Sequence, residues 1–62
     1  MKNDQVITLI ETDAYGKIAV THNDDYVTVY LAEPVRLLSL SMKEATDLAH
    51  ALQLHRQALE EQ

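Results

Sequence analysis

The chain has 62 residues, and ten acidic against five basic side chains give it a formal net charge of −5. This charge repels nucleic acid and disfavours direct binding of DNA or RNA. There is no cysteine, which excludes a disulfide framework and a thiolate zinc site. Because hydrophobic residues make up 47% with one glycine and one proline, we predict a single folded domain spanning residues 1–62.

Location and stability are also constrained by the sequence. No run of about 18 apolar residues is present to span a membrane, and the opening residues lack the apolar core of a signal peptide. Together with the lack of cysteine, this leads us to expect a cytoplasmic protein. A chain this short buries only about 60% of the surface that its unfolded form exposes. We therefore expect it to gain stability by forming a homodimer.

Three segments rich in β-branched residues predict strands at about residues 5–11, 17–22 and 26–31. The segment from Asp13 to Gly16 suits a hairpin with a bulge or a four-residue loop, because aspartate favours the start of a turn and glycine accepts positive φ, and the four-residue loop is used here to set the register. The Asn23-Asp24 pair suits a two-residue type I′ turn. These connections predict two antiparallel hairpins in succession.

The second half of the chain predicts one further strand and one helix. Proline at position 34 should end the third strand, after which residues 35–40 read as a fourth strand. Ser41 and Glu44 have the spacing of a capping box, and a helix is predicted over about residues 42–59. Its apolar stripe comprises Ala45, Leu48, Leu52, His55 and Leu59. The predicted fold is α+β: a four-stranded antiparallel β-meander with one C-terminal amphipathic helix packed on one face.

The predicted turns also divide the sheet into two faces, because residues opposite one another in an antiparallel pair share a face. The face under the helix comprises Ile7, Leu9, Ile18, Val20, Val27, Val29, Leu31, Leu38 and Leu40. The other face is too apolar for a sheet that meets only water, although scattered surface apolarity is the alternative explanation. We predict that it contacts a partner through Ile10, Tyr30, Val35 and Leu37.

The helix offers a second candidate interface. Ala51, Leu54 and Ala58 form a narrow stripe whose small residues allow close approach of another helix. The alternative is that this stripe is only the edge of a wide core face. Leu54 is accordingly included among the predicted interface residues.

The three histidines are the candidates for metal binding or acid–base chemistry. His50 and His55 are five residues apart and so face different sides of a helix, unlike the histidines of an H-E-x-x-H site. His22 lies near Asp24 and Asp25, where a solvated acidic turn is the favoured interpretation over a weak cation site. His55 is expected to be a packed core histidine, with a ligand or switch role as the less favoured alternative. We predict no metal and no cofactor.

Other catalytic motifs are missing from the sequence. Gly16 stands alone, so there is no glycine-rich phosphate loop, and Ser39 and Ser41 have no histidine and carboxylate placed to suggest a triad. A chain of this size also has little room for a pocket of several hundred Å³. We predict that the protein is not an enzyme.

The sequence therefore favours a small acidic protein-interaction module, homodimeric and with a regulatory or structural role, that also binds an unidentified protein. The alternative is an acidic inhibitor or nucleic-acid mimic of the kind that phages encode, which binds a basic host protein. In that alternative the negative charge comes from the predicted hairpin ends, at Asp13, Asp24, Asp25 and Glu33. Loss of binding with added salt would favour the mimic, whereas salt-tolerant association would favour the apolar interface.

Overall fold

The computed structural model describes residues 6–61 and contains three strands followed by one helix. The strands are β1 (Thr8–Thr12), β2 (Gly16–His22) and β3 (Val27–Tyr30), and the helix is α1 (Met42–Glu60). The sheet is antiparallel with the strand order β1-β2-β3. The predicted α+β class is confirmed, while the predicted start of the first strand at residue 5 lies outside the described residues. Within residues 6–61, no helix is both long and apolar enough to cross a membrane.

The connection between β1 and β2 is one residue shorter than predicted. Thr12 pairs with Gly16, which leaves three residues between them. The φ angle of Gly16 is +70°, in the left-handed region that glycine adopts without steric cost. The Thr12 hydroxyl donates to the Gly16 carbonyl at 2.7 Å and accepts from the Tyr15 N–H at 3.0 Å. This side chain thus holds the tight turn closed.

The shorter loop changes which residues of β1 face the helix, because a shift of one residue moves every side chain to the other face. Thr8 pairs with Val20 and Ile10 pairs with Ile18. Ile10 is accordingly 4% exposed, whereas Leu9 is 59% exposed. The prediction that put Leu9 under the helix and Ile10 on the opposite face is wrong.

The connection between β2 and β3 also differs in length from the prediction, but this difference does not change which residues face the helix. His22 pairs with Val27, so four residues form the connection in place of the expected two. The Asn23 side-chain carbonyl organises it by accepting from the N–H groups of Asp25 and Tyr26, both at 2.8 Å. The register shift is two residues, which preserves the predicted faces of β2 and β3.

The predicted fourth strand is not present, and residues 35–40 run as irregular chain. The backbone of this segment bonds to a side chain of the β1–β2 turn. The Tyr15 hydroxyl accepts from the Ser39 N–H at 2.7 Å and donates to the Leu37 carbonyl at 3.3 Å. A side chain therefore satisfies polar groups that a ladder would otherwise pair, and Pro34 just before the segment has no N–H to offer a ladder.

The predicted capping box at the start of α1 is confirmed. The Glu44 N–H donates to the Ser41 hydroxyl at 3.2 Å, and the Ser41 N–H donates to one Glu44 carboxylate oxygen at 2.9 Å. The other carboxylate oxygen accepts from the Asp13 N–H at 2.9 Å. The cap thus fixes the helix start and also ties it to the β1–β2 turn.

The core lies between the helix and one face of the sheet. Within the described residues, its buried hydrophobic members are Ile10, Ile18, Val20 and Ala51, with Val27, Leu31 and Leu48 packed against them. The buried face of α1 is centred on Ala51 and His55, whereas Ala45 is exposed and Leu52 is 37% exposed. The predicted helix stripe is therefore displaced: the small Ala51 takes the central position that we expected Leu52 to fill.

Candidate functional site

Two histidines from distant parts of the sequence meet in the interior. The Nδ1 atom of His55, on α1, lies 2.7 Å from the Nδ1 atom of His22, on β2. The ring centroids are 4.9 Å apart and the ring planes meet at 60°. His55 is 1% exposed, and His22 is half-buried. The contact links the C-terminal half of the helix to the end of the central strand.

The other ring nitrogen of His55 also has a partner. Its Nε2 atom lies 2.9 Å from the hydroxyl oxygen of Thr8, which the one-residue shift of β1 turns toward the helix. Both polar atoms of the buried ring are therefore satisfied, as burial of a polar group requires. Thr8, His22 and His55, which we call the histidine cluster, join β1, β2 and α1.

The hydrogen bond between the two Nδ1 atoms requires that one of them carries a proton and the other does not. If His55 holds that proton, its Nε2 accepts from the Thr8 hydroxyl. If His22 holds it, the Nε2–H of His55 donates to Thr8. Burial, and secondly the His22 ring, lower the pKa of His55 below its usual value, so the neutral ring is favoured.

The order of atoms in the histidine cluster matches that of a nucleophile, a base and an orienting group. The hydroxyl of Thr8 contacts one nitrogen of His55, and His22 contacts the other. In an efficient triad, however, a carboxylate stabilises the imidazolium that forms during proton transfer. His22 offers an imidazole instead, which carries no negative charge, and burial further disfavours a charged His55. These groups are suited to holding a shared proton and poorly suited to abstracting one.

The cluster is also poorly arranged for a metal ion. Two nitrogens that bind one zinc ion tetrahedrally at about 2.0–2.1 Å lie about 3.3 Å apart. The 2.7 Å between the two Nδ1 atoms is shorter and corresponds to a hydrogen bond. Within residues 6–61, no three histidine, aspartate or glutamate side chains are grouped closely enough to hold a metal.

A second candidate feature is the face of the sheet that points away from α1. Leu9 pairs with Ala19, and Ala19 pairs with Tyr30, so these three form one row across all three strands. Leu9 is 59% and Tyr30 is 60% exposed. Thr21 pairs with Thr28 in the next row, and Ile7, just before β1, is 57% exposed. We call this surface the open face: Ile7, Leu9, Ala19, Thr21, Thr28 and Tyr30.

Among residues 6–61, the charged pair on the open side of the sheet lies at one end. Glu11 pairs with Lys17 there, and their side chains form an exposed ion pair at 3.8 Å. The two rows of the open face contain aliphatic side chains, threonines and one tyrosine, with no charged residue. None of the charged side chains that the structure describes therefore lies in the middle of this surface.

The predicted interface residues lie in different parts of the structure. Tyr30 belongs to the open face, but Ile10 is buried beneath the helix. Val35 lines a cavity of about 320 Å³ beside the β1–β2 turn, and Leu37 is exposed in the irregular segment next to that turn. Leu54 is 55% exposed and lines a groove of about 670 Å³ between β1 and α1.

The acidic residues named for the mimic hypothesis fall into two groups. Asp13 lies in the β1–β2 turn and Glu33 follows β3, at the same end of the sheet. Asp24 and Asp25 lie in the β2–β3 connection, at the opposite end. The length of β2, seven residues, separates the two groups. They do not form one continuous acidic surface.

Sequence reasoning missed Leu9 as an open-face residue and missed the contact between His22 and His55. The first depended on the length of one loop. The sequence did contain a signal for the histidine contact. His22 falls on the same face of β2 as Ile18 and Val20, and His55 lies on the apolar stripe of the helix. Comparison of the chain with protein-family models, with curated proteins and with solved structures gave no match.

Proposed function

We propose that this protein is a small, acidic, non-catalytic interaction module of the cytoplasm, which forms a homodimer and has a regulatory or structural role with a further protein partner. The observation that carries the proposal is the open face, an apolar cross-strand row that residues 6–61 leave exposed on a sheet whose other face packs against a helix. Leu9 and Tyr30 are its two exposed anchors. We assign a second copy of the chain as its occupant.

The small core supports this assignment. Four hydrophobic residues are buried within the described chain, and such a core gives a domain of this size little stability. Burying Leu9 and Tyr30 against another copy would add apolar contact without requiring new secondary structure. Tyrosine suits such a surface because its ring can be buried while its hydroxyl stays hydrated.

The charge distribution also supports self-association. A two-fold interface brings the same surface of each subunit together, so any charge in its centre would meet its own kind. The rows of the open face have no such charge. At one end of the face, Glu11 and Lys17 carry opposite signs and pair with each other, so they add no net charge to the interface. A net charge of −5 is therefore compatible with dimerisation through this face.

The acidic mimic has weaker support. A mimic presents a dense run of negative charge to one basic surface, whereas the four acidic residues considered for that role lie at two ends of the sheet. Of these four residues, each end holds two. We therefore retain the apolar interaction module as the proposed function.

The test is sedimentation velocity over a range of protein concentrations. The wild type is expected to sediment as a dimer that dissociates on dilution, and to retain that association in high salt, since apolar contact is not screened. Leu9→Glu is expected to abolish association, because it puts a charge into the interface twice. Leu54→Glu is the matched control, since Leu54 is similarly exposed but lies on the helix.

The pair of variants decides which surface is used. Loss of dimer with Leu9→Glu and retention with Leu54→Glu support the open face. Loss of the dimer with Leu54→Glu and retention with Leu9→Glu would show that the interface lies on the helix. A wild-type protein that remains monomeric at millimolar concentration would overturn the proposed homodimer.

A further inference from the structure

The histidine cluster joins the helix to two strands through two imidazole rings that are hydrogen-bonded to each other. His55 lies between Thr8 and His22, with both ring nitrogens bonded. Contact between helix and sheet at this position therefore depends on how many protons the two rings carry. The geometry limits that number.

With both rings neutral, one of the two Nδ1 atoms carries a proton and the hydrogen bond forms. One additional proton can still be accommodated, because a charged ring can donate through Nδ1 to the neutral ring. A second additional proton cannot be accommodated. Both Nδ1 atoms, which lie 2.7 Å apart, would then carry hydrogen, and two positive rings would face one another. The folded cluster therefore binds at least one proton fewer than the unfolded chain when both histidines are charged.

We propose that the histidine cluster is a proton-operated latch, which holds α1 on the sheet while His22 and His55 share a hydrogen-bonded proton and releases it when both rings become protonated. Release would uncover the core side chains under this part of the helix, including Val20. The latch goes beyond the proposed self-association, because it acts on the opposite face of the sheet. The lowered pKa of His55 agrees with it, since burial already disfavours the first added charge.

The surrounding groups set the pH at which the latch opens. From β1 the cluster meets the neutral hydroxyl of Thr8. From α1, Gln57 and Glu61 line the cavity of about 300 Å³ beside both histidines. Glu61 is exposed, so solvent weakens its effect on the buried ring.

Charged groups on the remaining adjacent segments are solvated or paired. On α1, Arg56 and Glu60 form an exposed ion pair at 3.6 Å. In the connection that follows β2, Asp24 and Asp25 are exposed. High-dielectric solvent weakens their effect on the buried ring.

The test is equilibrium unfolding between pH 7.5 and 5, at one protein concentration for all variants. For the wild type, the unfolding equilibrium constant is expected to rise by about tenfold per pH unit below the ordinary histidine pKa, which corresponds to uptake of one proton on unfolding. His22→Gln removes the second cause that lowers the His55 pKa and leaves burial in place, so the total rise of the unfolding equilibrium constant between pH 7.5 and 5 is expected to be smaller than in the wild type. His50→Gln is the control, because His50 is exposed on the same helix, outside the cluster, and should retain the wild-type slope.

Nitrogen-15 chemical shifts of the imidazole rings test the same claim in the unaltered protein. At pH 7.5 they should show one protonated and one bare Nδ1 within the pair. Two rings that titrate independently at ordinary pKa values would overturn the proposal. So would an unfolding equilibrium constant in the wild type that does not change from pH 7.5 to 5, or a total rise over this range that is the same in His22→Gln as in the wild type.

Discussion

The carboxylate of Glu44 accepts a hydrogen bond from the backbone N–H of Asp13 at 2.9 Å, across 31 residues of sequence. Its second oxygen accepts from the N–H of Ser41 at 2.9 Å and completes the helix cap. One side chain thus fixes both the start of α1 and the position of the β1–β2 turn relative to it.

This double contact determines the relative cost of two substitutions. Ser41→Ala removes one acceptor of a helix N–H and should lower the free energy of unfolding by about 1 kcal/mol. Glu44→Ala leaves two backbone N–H groups without their partner and should be more destabilising than Ser41→Ala. Urea denaturation of the two variants gives the comparison. A smaller loss for Glu44→Ala would mean that the contact with Asp13 does not contribute.

Glu44 also makes stability depend on pH in the acid range. The N–H of Ser41, and then that of Asp13, lower the pKa of Glu44 below its ordinary value. Because the folded pKa is the lower one, the stabilisation is fully present above the ordinary glutamate pKa and is lost as pH falls through the folded value. Glu44→Gln should remove this part of the pH dependence, while Glu33→Gln, an exposed carboxylate outside the cap, should keep it. Thermal unfolding between pH 5 and 2 measures the effect, and identical profiles for the two variants would contradict it.

Truncation of a core side chain is predicted to lower the free energy of unfolding more on the sheet than on the helix. Ile18 is fully buried, so Ile18→Ala should cost about 2–5 kcal/mol of unfolding free energy, through lost apolar contact and a residual cavity. Leu52 is 37% exposed, so Leu52→Ala should cost distinctly less. Denaturant unfolding ranks the two. A greater loss for Leu52→Ala would mean that the helix packs by the face expected from sequence.

The segment before the helix depends on one hydroxyl. Tyr15→Phe removes the acceptor for the Ser39 N–H and the donor to the Leu37 carbonyl, and should cost about 1 kcal/mol. Hydrogen exchange at the Ser39 amide should accelerate, while exchange in the centre of β2 should change only as far as global stability does. Unchanged protection at Ser39 would show that another group holds this segment.

The sequence supported much of the local structure, because local structure depends on nearby residues. The capping box was predicted from Ser41 and Glu44, and the helix from its periodicity. The face of β2 was predicted correctly because Ile18 and Val20 alternate with polar or small neighbours. Each of these features needs only a few consecutive positions.

The errors arose where one loop length or one long-range contact decided the outcome. The side chain of Thr12 closes a three-residue turn. Because this turn is one residue shorter than predicted, Leu9 and Ile10 lie on the opposite faces from those expected. The apolar run at 35–40 has strand propensity, but the Ser39 N–H donates to the Tyr15 hydroxyl and not to a neighbouring strand. Nothing near position 15 in the sequence indicates that contact. Propensity alone cannot choose between such partners.

The contact between His22 and His55 shows the same limit. Each residue was placed near an apolar face by its own pattern, yet their meeting depends on where the helix crosses the sheet. That crossing is centred on Ala51 and not on Leu52, a difference of about 100° around the helix. Periodicity in a stripe of mixed alanine and leucine does not fix the angle so closely.

The most direct test of the proposed self-association is an isotope-filtered NMR experiment on a mixture of labelled and unlabelled protein, which detects only contacts between subunits. We predict intermolecular contacts from the methyl groups of Ile7 and Leu9 and from the ring of Tyr30, with none from Leu54. Intermolecular contacts at Leu54 without any at Leu9 or Tyr30, or no intermolecular contact at millimolar concentration, would contradict the account.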